Sequence, residues 1–214
     1  MKNLFNLENP VFQMLSRVGD MIIANVLFLI CCIPIFTIGA SLAGLNRVCQ
    51  AIVLDDDRGI AKLFFIGFKS NFKQATAVWL AILVILVSLV CNWLLITTFA
   101  SGTFATVLYI LLGVVTFLVI SVLSYLFPLI VRYTNTIREH IYNAIILAIT
   151  KFPKTIVIVF LNIILFVLPF ISLNAFSQTM IFWLMIGFSF LSYIINTLLK
   201  AIFKELEGDD SEIV

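Results

Sequence analysis

The 214-residue chain is 63% hydrophobic and 11% charged, with a formal net charge of +2 and a mean hydropathy of +1.18, whereas soluble domains run at roughly 45–50% apolar and 25% charged. So small a net charge excludes an electrostatic nucleic-acid binder, and no polar stretch is long enough to bury a separate soluble core. Membrane residence follows from composition.

Charged residues are absent from 21–46, 74–131 and 155–199. At about 20 residues per crossing, each of the last two gaps holds a pair of spans. Runs such as 82–87 (ILVILV) and 156–160 (IVIVF) are apolar on every side, which excludes the alternating pattern of an outer-membrane barrel. The expected fold is all-α, a polytopic transmembrane helical bundle of five to six membrane segments with two interfacial amphipathic helices, in one domain over 1–214.

Residues 1–19 read as an interfacial lead-in in which Pro10 can occupy a first helical turn. The segment 20–54 is apolar at first but interrupted at Pro34 and Gly39, then carries Asn46, Arg47 and Gln50. It either crosses once or forms a broken hairpin that returns to its starting side. A cleavable signal peptide fits less well than an uncleaved first segment, because no strong basic cluster precedes the apolar run.

The triplet Asp55, Asp56 and Asp57 lacks the spacing of a calcium loop and reads as the cap of a helix beginning at Arg58. On that cytoplasmic amphipathic helix, within 55–74, Arg58, Lys62, Lys69 and Lys73 lie within roughly 60° of one another. Phe64, Phe68 and Phe72 form a separate apolar row. A basic stripe opposite an aromatic surface suits a helix lying on anionic lipid or docking a cytoplasmic partner.

A hairpin over 75–131 follows, then a second cytoplasmic amphipathic helix over 132–154 with Arg132, Arg138, Lys151 and Lys154. Its apolar stripe is Ile137, Ile141, Ala144, Ile145 and Ala148, which leaves His140 beside Glu139 on the polar face. The second hairpin covers 155–199, and 200–214 is an acidic tail. Asn71-Phe72-Lys73 and Lys151-Phe152-Pro153-Lys154 precede the two hairpins about 80 residues apart, a weak internal repeat.

Lysines and arginines concentrate before and after the hairpins and are absent from the turns near Gly102 and Asn174. By the positive-inside rule the basic segments and the C-terminus are cytoplasmic. Lys2 and Arg17 favour the same side for the N-terminus.

The single histidine, the absence of a phosphate-binding glycine loop and the lack of an ionisable residue in the four hairpin spans argue against an enzyme or an ion-coupled carrier. No catalytic residue, cofactor or metal ligand set is expected. Cys31, Cys32, Cys49 and Cys91 read as packing residues. Asn25, Asn92, Asn162, Ser189, Ser192 and Asn196 are candidates for interhelical hydrogen bonds, with Arg47 the only candidate charge at membrane depth.

Several blocks resemble the YesL family of bacterial membrane proteins. These are Gly19-Asp20 and Asn25 ahead of the apolar run, residues 32–35 (CIPI) with 37–41 (TIGAS), 68–75 (FKSNFKQA), and later Asn143-Ala144 with 151–155 (KFPKT). The resemblance implies a multi-pass protein of the bacterial cytoplasmic membrane with a role near carbohydrate use. The leading expectation built on it is a non-enzymatic accessory subunit that binds the permease subunits of an ATP-binding-cassette (ABC) sugar importer. The alternatives are a permease-like subunit forming part of the sugar pathway, or a membrane-surface scaffold in contact with lipid.

Overall fold

A computed structural model of the chain describes residues 10–56, 58–167 and 173–209, among which there is no strand. Helix α1 (Pro10–Cys31) opens on Pro10, whose missing N–H falls where a first turn has no intrahelical partner. The lead-in is therefore continuous with the first apolar helix from Pro10 onward, and residues 1–9 lie outside the described residues.

Pro34 stops the helix, because proline cannot donate to the ladder and pushes the preceding residue out of helical conformation. Thr37 Oγ1 closes the break, donating to the carbonyls of Cys31 and Pro34 at 2.6 and 2.7 Å. A 3-10 turn, Ile35–Thr37, then leads into α2 (Ile38–Val53). Arg17 near the start of α1 pairs with Asp55 just past α2 at 2.5 Å. The segment thus returns to where it began, as a hairpin with arms of 22 and 16 residues.

Helix α2 is the centre of the bundle: 72% of its apolar stretch is buried. Its small residues explain why. Gly39, Ala40, Ser41, Ala43 and Gly44 let neighbouring backbones approach. A Cβ on Gly44 would stand 2.9 Å from the Phe64 carbonyl oxygen of α3 (Ile60–Ser70), and one on Gly67 of α3 only 2.6 Å from Arg47 Cβ.

The α2–α3 link departs from the expected cap. Helix α3 starts at Ile60 rather than Arg58, behind Gly59 at φ 74°, and no side chain caps it. Asp56 instead takes the Arg58 guanidinium, and Asp57 lies outside the described residues. The basic stripe is consequently split between segments. Arg58 sits in the link, Lys62 and Lys69 on α3, and Lys73 in the first turn of α4 (Phe72–Phe99).

The aromatic row is also reassigned. Phe64 is fully buried beneath Gly44, with Phe68 at 6.3 Å and Phe72 beyond it at 5.5 Å. This face closes the protein interior instead of resting on lipid.

Helices α4 and α5 (Gly102–Arg132) form the first long hairpin, turning at Gly102 with φ 64°. Helix α6 (Ile137–Thr150) begins five residues later than expected, with a capping box in which Thr136 accepts from the Glu139 N–H and Glu139 accepts from the Thr136 N–H. Its buried face is His140, Ala144, Leu147 and Ala148, while Ile137, Ile141 and Ile145 point outward. His140 is therefore a fully buried residue and not part of a polar surface.

Helix α7 (Phe152–Val167) leaves α6 at 103° across the single residue Lys151. Asn71 plays the same part between α3 and α4. At both junctions a short helix gives way, after one non-helical residue, to a long helix opening on phenylalanine, Phe72 or Phe152. The weak sequence repeat therefore has a matching geometry.

After residues 168–172, which are not among those described, α8 (Leu173–Phe182) runs through a π turn, Trp183–Gly187, into α9 (Phe188–Asp209). Residues 200–209 continue this helix, so the described part of the acidic segment belongs to the bundle. Among the described residues, five stretches are long and apolar enough to cross a membrane: Met14–Cys31, Ile35–Val53, Phe72–Phe99, Gly102–Arg132 and Thr179–Gly208, with a sixth if the bent α6–α7 pair counts as one. The chain is a multi-pass α-helical membrane protein.

Candidate functional site

Apolar helices provide no directional contacts, so buried polar groups must find one another or remain unpaired in a medium that offers no water. Helices α1, α2, α5 and α9 meet through such groups. On α1, Asn25 is completely buried; its Nδ2 donates to the carbonyls of Trp183 and Leu184 at 3.0 and 2.9 Å, and its Oδ1 accepts the Ser189 N–H at 3.1 Å. The π turn displaces backbone groups from their usual partners. One carboxamide on α1 takes up three of them.

One and two helical turns further along α9, Ser192 Oγ and Asn196 Nδ2 donate to the Asn46 Oδ1 of α2, at 3.3 and 2.8 Å. Asn46 Nδ2 donates back to Leu42, and Cys49 donates to the Ser189 carbonyl at 3.5 Å. Gln50 reaches α5, where its Nε2 donates to the Pro128 carbonyl at 3.0 Å. A polar seam therefore runs along α2 and ties α5 and α9 to it, while Asn25 ties α1 to the start of α9.

At the charged end of this seam lies a cleft of about 240 Å³, lined by Arg47, Gln50, Ala51, Leu54, Asp56, Arg58, Arg132 and Glu207. Two of its three arginines are matched. Arg132 forks onto Glu207 at 2.7 and 2.9 Å and lies 4.8 Å over the Phe203 ring. Arg58 binds Asp56 through Nε at 2.9 Å to both carboxylate oxygens, which holds Asp56 below the usual carboxylate range and raises Arg58. Arg47 is unmatched among the described residues. Its stem packs against the bare backbone of Gly67, and its buried Nε has no hydrogen-bond partner.

Of the residues singled out in the sequence, Asn25 meets Ser189, while Ser192 and Asn196 meet Asn46. Arg58 and Arg132 join Arg47 in the cleft. Lys62, Lys69, Lys73 and Arg138 stay apart on exposed surface. Lys151 pairs with Glu205 at 2.6 Å and Lys154 is half-buried nearby. Asn162 reaches Ser124 at 3.4 Å, whereas Asn92 is exposed on α4 and, among the described residues, bonds its own helix at Ser88.

Sequence reasoning left out Asn46, Gln50, Asp56 and Glu207 as functional residues. Asn46 and Gln50 share a helical face with Arg47's neighbours, and their polarity in an apolar segment was the available signal. Glu207 carried none, because an acidic residue near a terminus is ordinarily solvated. Cys49 packs in the interior as expected, but Cys91 is exposed on the outside of α4.

Residues 21–93, from α1 into α4, match a family described as "Protein of unknown function, DUF624". The match covers the α1–α2 hairpin, the α2–α3 crossing and the start of the first long hairpin. Neither the curated proteins nor the solved structures contain a match.

Proposed function

We propose that this chain is a non-catalytic accessory subunit of the bacterial cytoplasmic membrane that associates with the permease of a carbohydrate ABC importer. The observation that carries the association is the α4–α5 hairpin. In its most apolar stretches only 11% of α4 and 6% of α5 is buried, against 72% for α2. Ala75, Val78 and Ile82 of α4 and residues 125–130 of α5 are buried in the bundle, but the rest of the hairpin has little intrachain partner, and Trp93, Val114, Leu118 and Asn92 face outward along it. Such a surface suits packing against the helices of another membrane protein, where a polar Asn92 gains an interhelical hydrogen bond. The sugar-importer identity rests on the resemblance to the YesL family.

Orientation follows from charge. Arg17, Asp55, Arg58, Arg132 and Glu207 gather at one end of the bundle, and this end is cytoplasmic under the positive-inside rule. The end of α9 is tied there by Arg132 and Lys151.

A second reading, a lipid-surface scaffold, draws on α3. Lys62 and Lys69 point directly away from the buried Phe64 and Gly67, flanked by exposed Phe65 and Ile66. Purification in mild detergent separates the readings. Stoichiometric recovery of a sugar permease, lost on placing charges at Trp93 and Leu118, supports the accessory subunit; a solitary chain that transports sugar in liposomes overturns it. Loss of membrane-remodelling or lipid clustering in a Lys62→Glu, Lys69→Glu, Lys73→Glu variant, with partner recovery intact, selects the scaffold.

A further inference from the structure

Among the described residues, Arg47 Nε is a buried polar atom without a hydrogen-bond partner, as are Thr76 Oγ1, both ring nitrogens of His140 and Asn196 Oδ1, but only Arg47 carries a permanent charge and lines a cleft. A guanidinium has five N–H donors and no acceptor, stays protonated, and is costly to bury without an anion. Here its stem is clamped between α2 and α3, because Gly67 allows the two backbones to meet at that position. The side chain is held toward the cleft with its Nε already desolvated and unpaired.

The other charges of the cleft cancel: Arg58 with Asp56 and Arg132 with Glu207. Among the described lining residues, Arg47 leaves a surplus of one positive charge, with the Gln50 carboxamide beside it. Asp56 feels the Arg47 charge, but its close ion pair is with Arg58, and that of Glu207 is with Arg132. Buried donors in native proteins find a partner as a rule, and an orphan facing a cleft marks the place of a water, an ion or a ligand.

We propose that the cleft binds the anionic oxygens of a phosphate group, with Arg47 as principal donor and Arg58 and Arg132 as flanking charges. A volume of about 240 Å³ accommodates a phosphate with part of what it is attached to. The planar fork of arginine matches two phosphate oxygens at once. The chemistry is common to a soluble phosphate and to a phospholipid headgroup, and the cleft lies where the bundle's charged end meets its apolar body. This site does not depend on the chain having a transporter partner.

The test uses the purified full chain and two probes. Inorganic phosphate is titrated calorimetrically, and retention of phosphatidylglycerol over phosphatidylcholine is measured by native mass spectrometry. Binding of phosphate assigns a soluble ligand, and selective retention of phosphatidylglycerol assigns a lipid. Arg47→Gln is expected to weaken binding about tenfold or more, the scale of one lost charge-assisted hydrogen bond. Arg47→Lys keeps the charge and loses less. Glu207→Gln removes a competing carboxylate and frees Arg132, so it tightens binding. If Arg47→Gln fails to fold, the opposite shifts of Arg47→Lys and Glu207→Gln decide. The proposal is overturned if the wild-type chain binds neither probe, if Arg47→Gln binds as well as wild type, or if Glu207→Gln weakens binding.

Discussion

The side-chain oxygen of Asn46 accepts a hydrogen bond from the carboxamide of Asn196 at 2.8 Å, joining residues 150 positions apart through the centre of the bundle. It is one of the few contacts that specify how α9 sits on α2, because lipid tails compete equally with apolar side chains for every other surface. Asn46→Leu should destabilise the protein in detergent by about 0.6–1.7 kcal/mol, the range for interhelical hydrogen bonds in membranes. A double-mutant cycle with Asn196→Leu should show coupling. Strict additivity would remove the contact from the account.

Asn25 has more to lose. It bonds two carbonyls and the buried Ser189 N–H around the π turn, so Asn25→Leu removes all three hydrogen bonds at once. The expected cost is about 1–3 kcal/mol. Hydrogen exchange at the Ser189 amide should accelerate, and an unchanged rate there would show that Asn25 does not hold the turn.

Glycine substitutions should divide by position. A Cβ on Gly67 meets Arg47 Cβ at 2.6 Å, whereas one on Gly113 meets nothing within 4 Å. Gly67→Ala should cost about 1–3 kcal/mol through forced separation of α2 and α3. Gly113→Ala should stabilise by up to about 1 kcal/mol from helix propensity alone. Thermal unfolding in detergent reads both, and equal shifts would refute the close crossing.

The Arg17–Asp55 pair makes the topology testable. In a cysteine-free background, Arg17→Cys and Asp55→Cys should be joined by a short bismaleimide and labelled from the same side by an impermeant reagent. Labelling from opposite sides would mean that residues 20–54 cross once.

The long spans were legible because each is a property of local composition. A run such as 82–87 has no surface that water tolerates, whatever its neighbours. The break at Pro34 was legible for the same reason, since proline's missing donor acts on its own turn. The faces of α3 and α6 were not. Ile141 and Ile145 made the more apolar stripe of α6, yet His140 and Leu147 face inward. In a membrane the outward side is also apolar, so hydrophobic periodicity loses its power to tell inside from outside.

By itself, then, the sequence determined that this is a helical membrane protein, roughly where its helices run, and which end of the bundle is basic, because hydrophobicity and charge act residue by residue. Only the tertiary structure decided that α2 is the buried centre, that Asn25 serves the π turn, and that Arg47, Arg58 and Arg132 converge with one positive charge unmatched. Those outcomes depend on which small residues let two backbones meet. Gly44 and Gly67 carry no pattern that reveals, in advance, the partner each will admit.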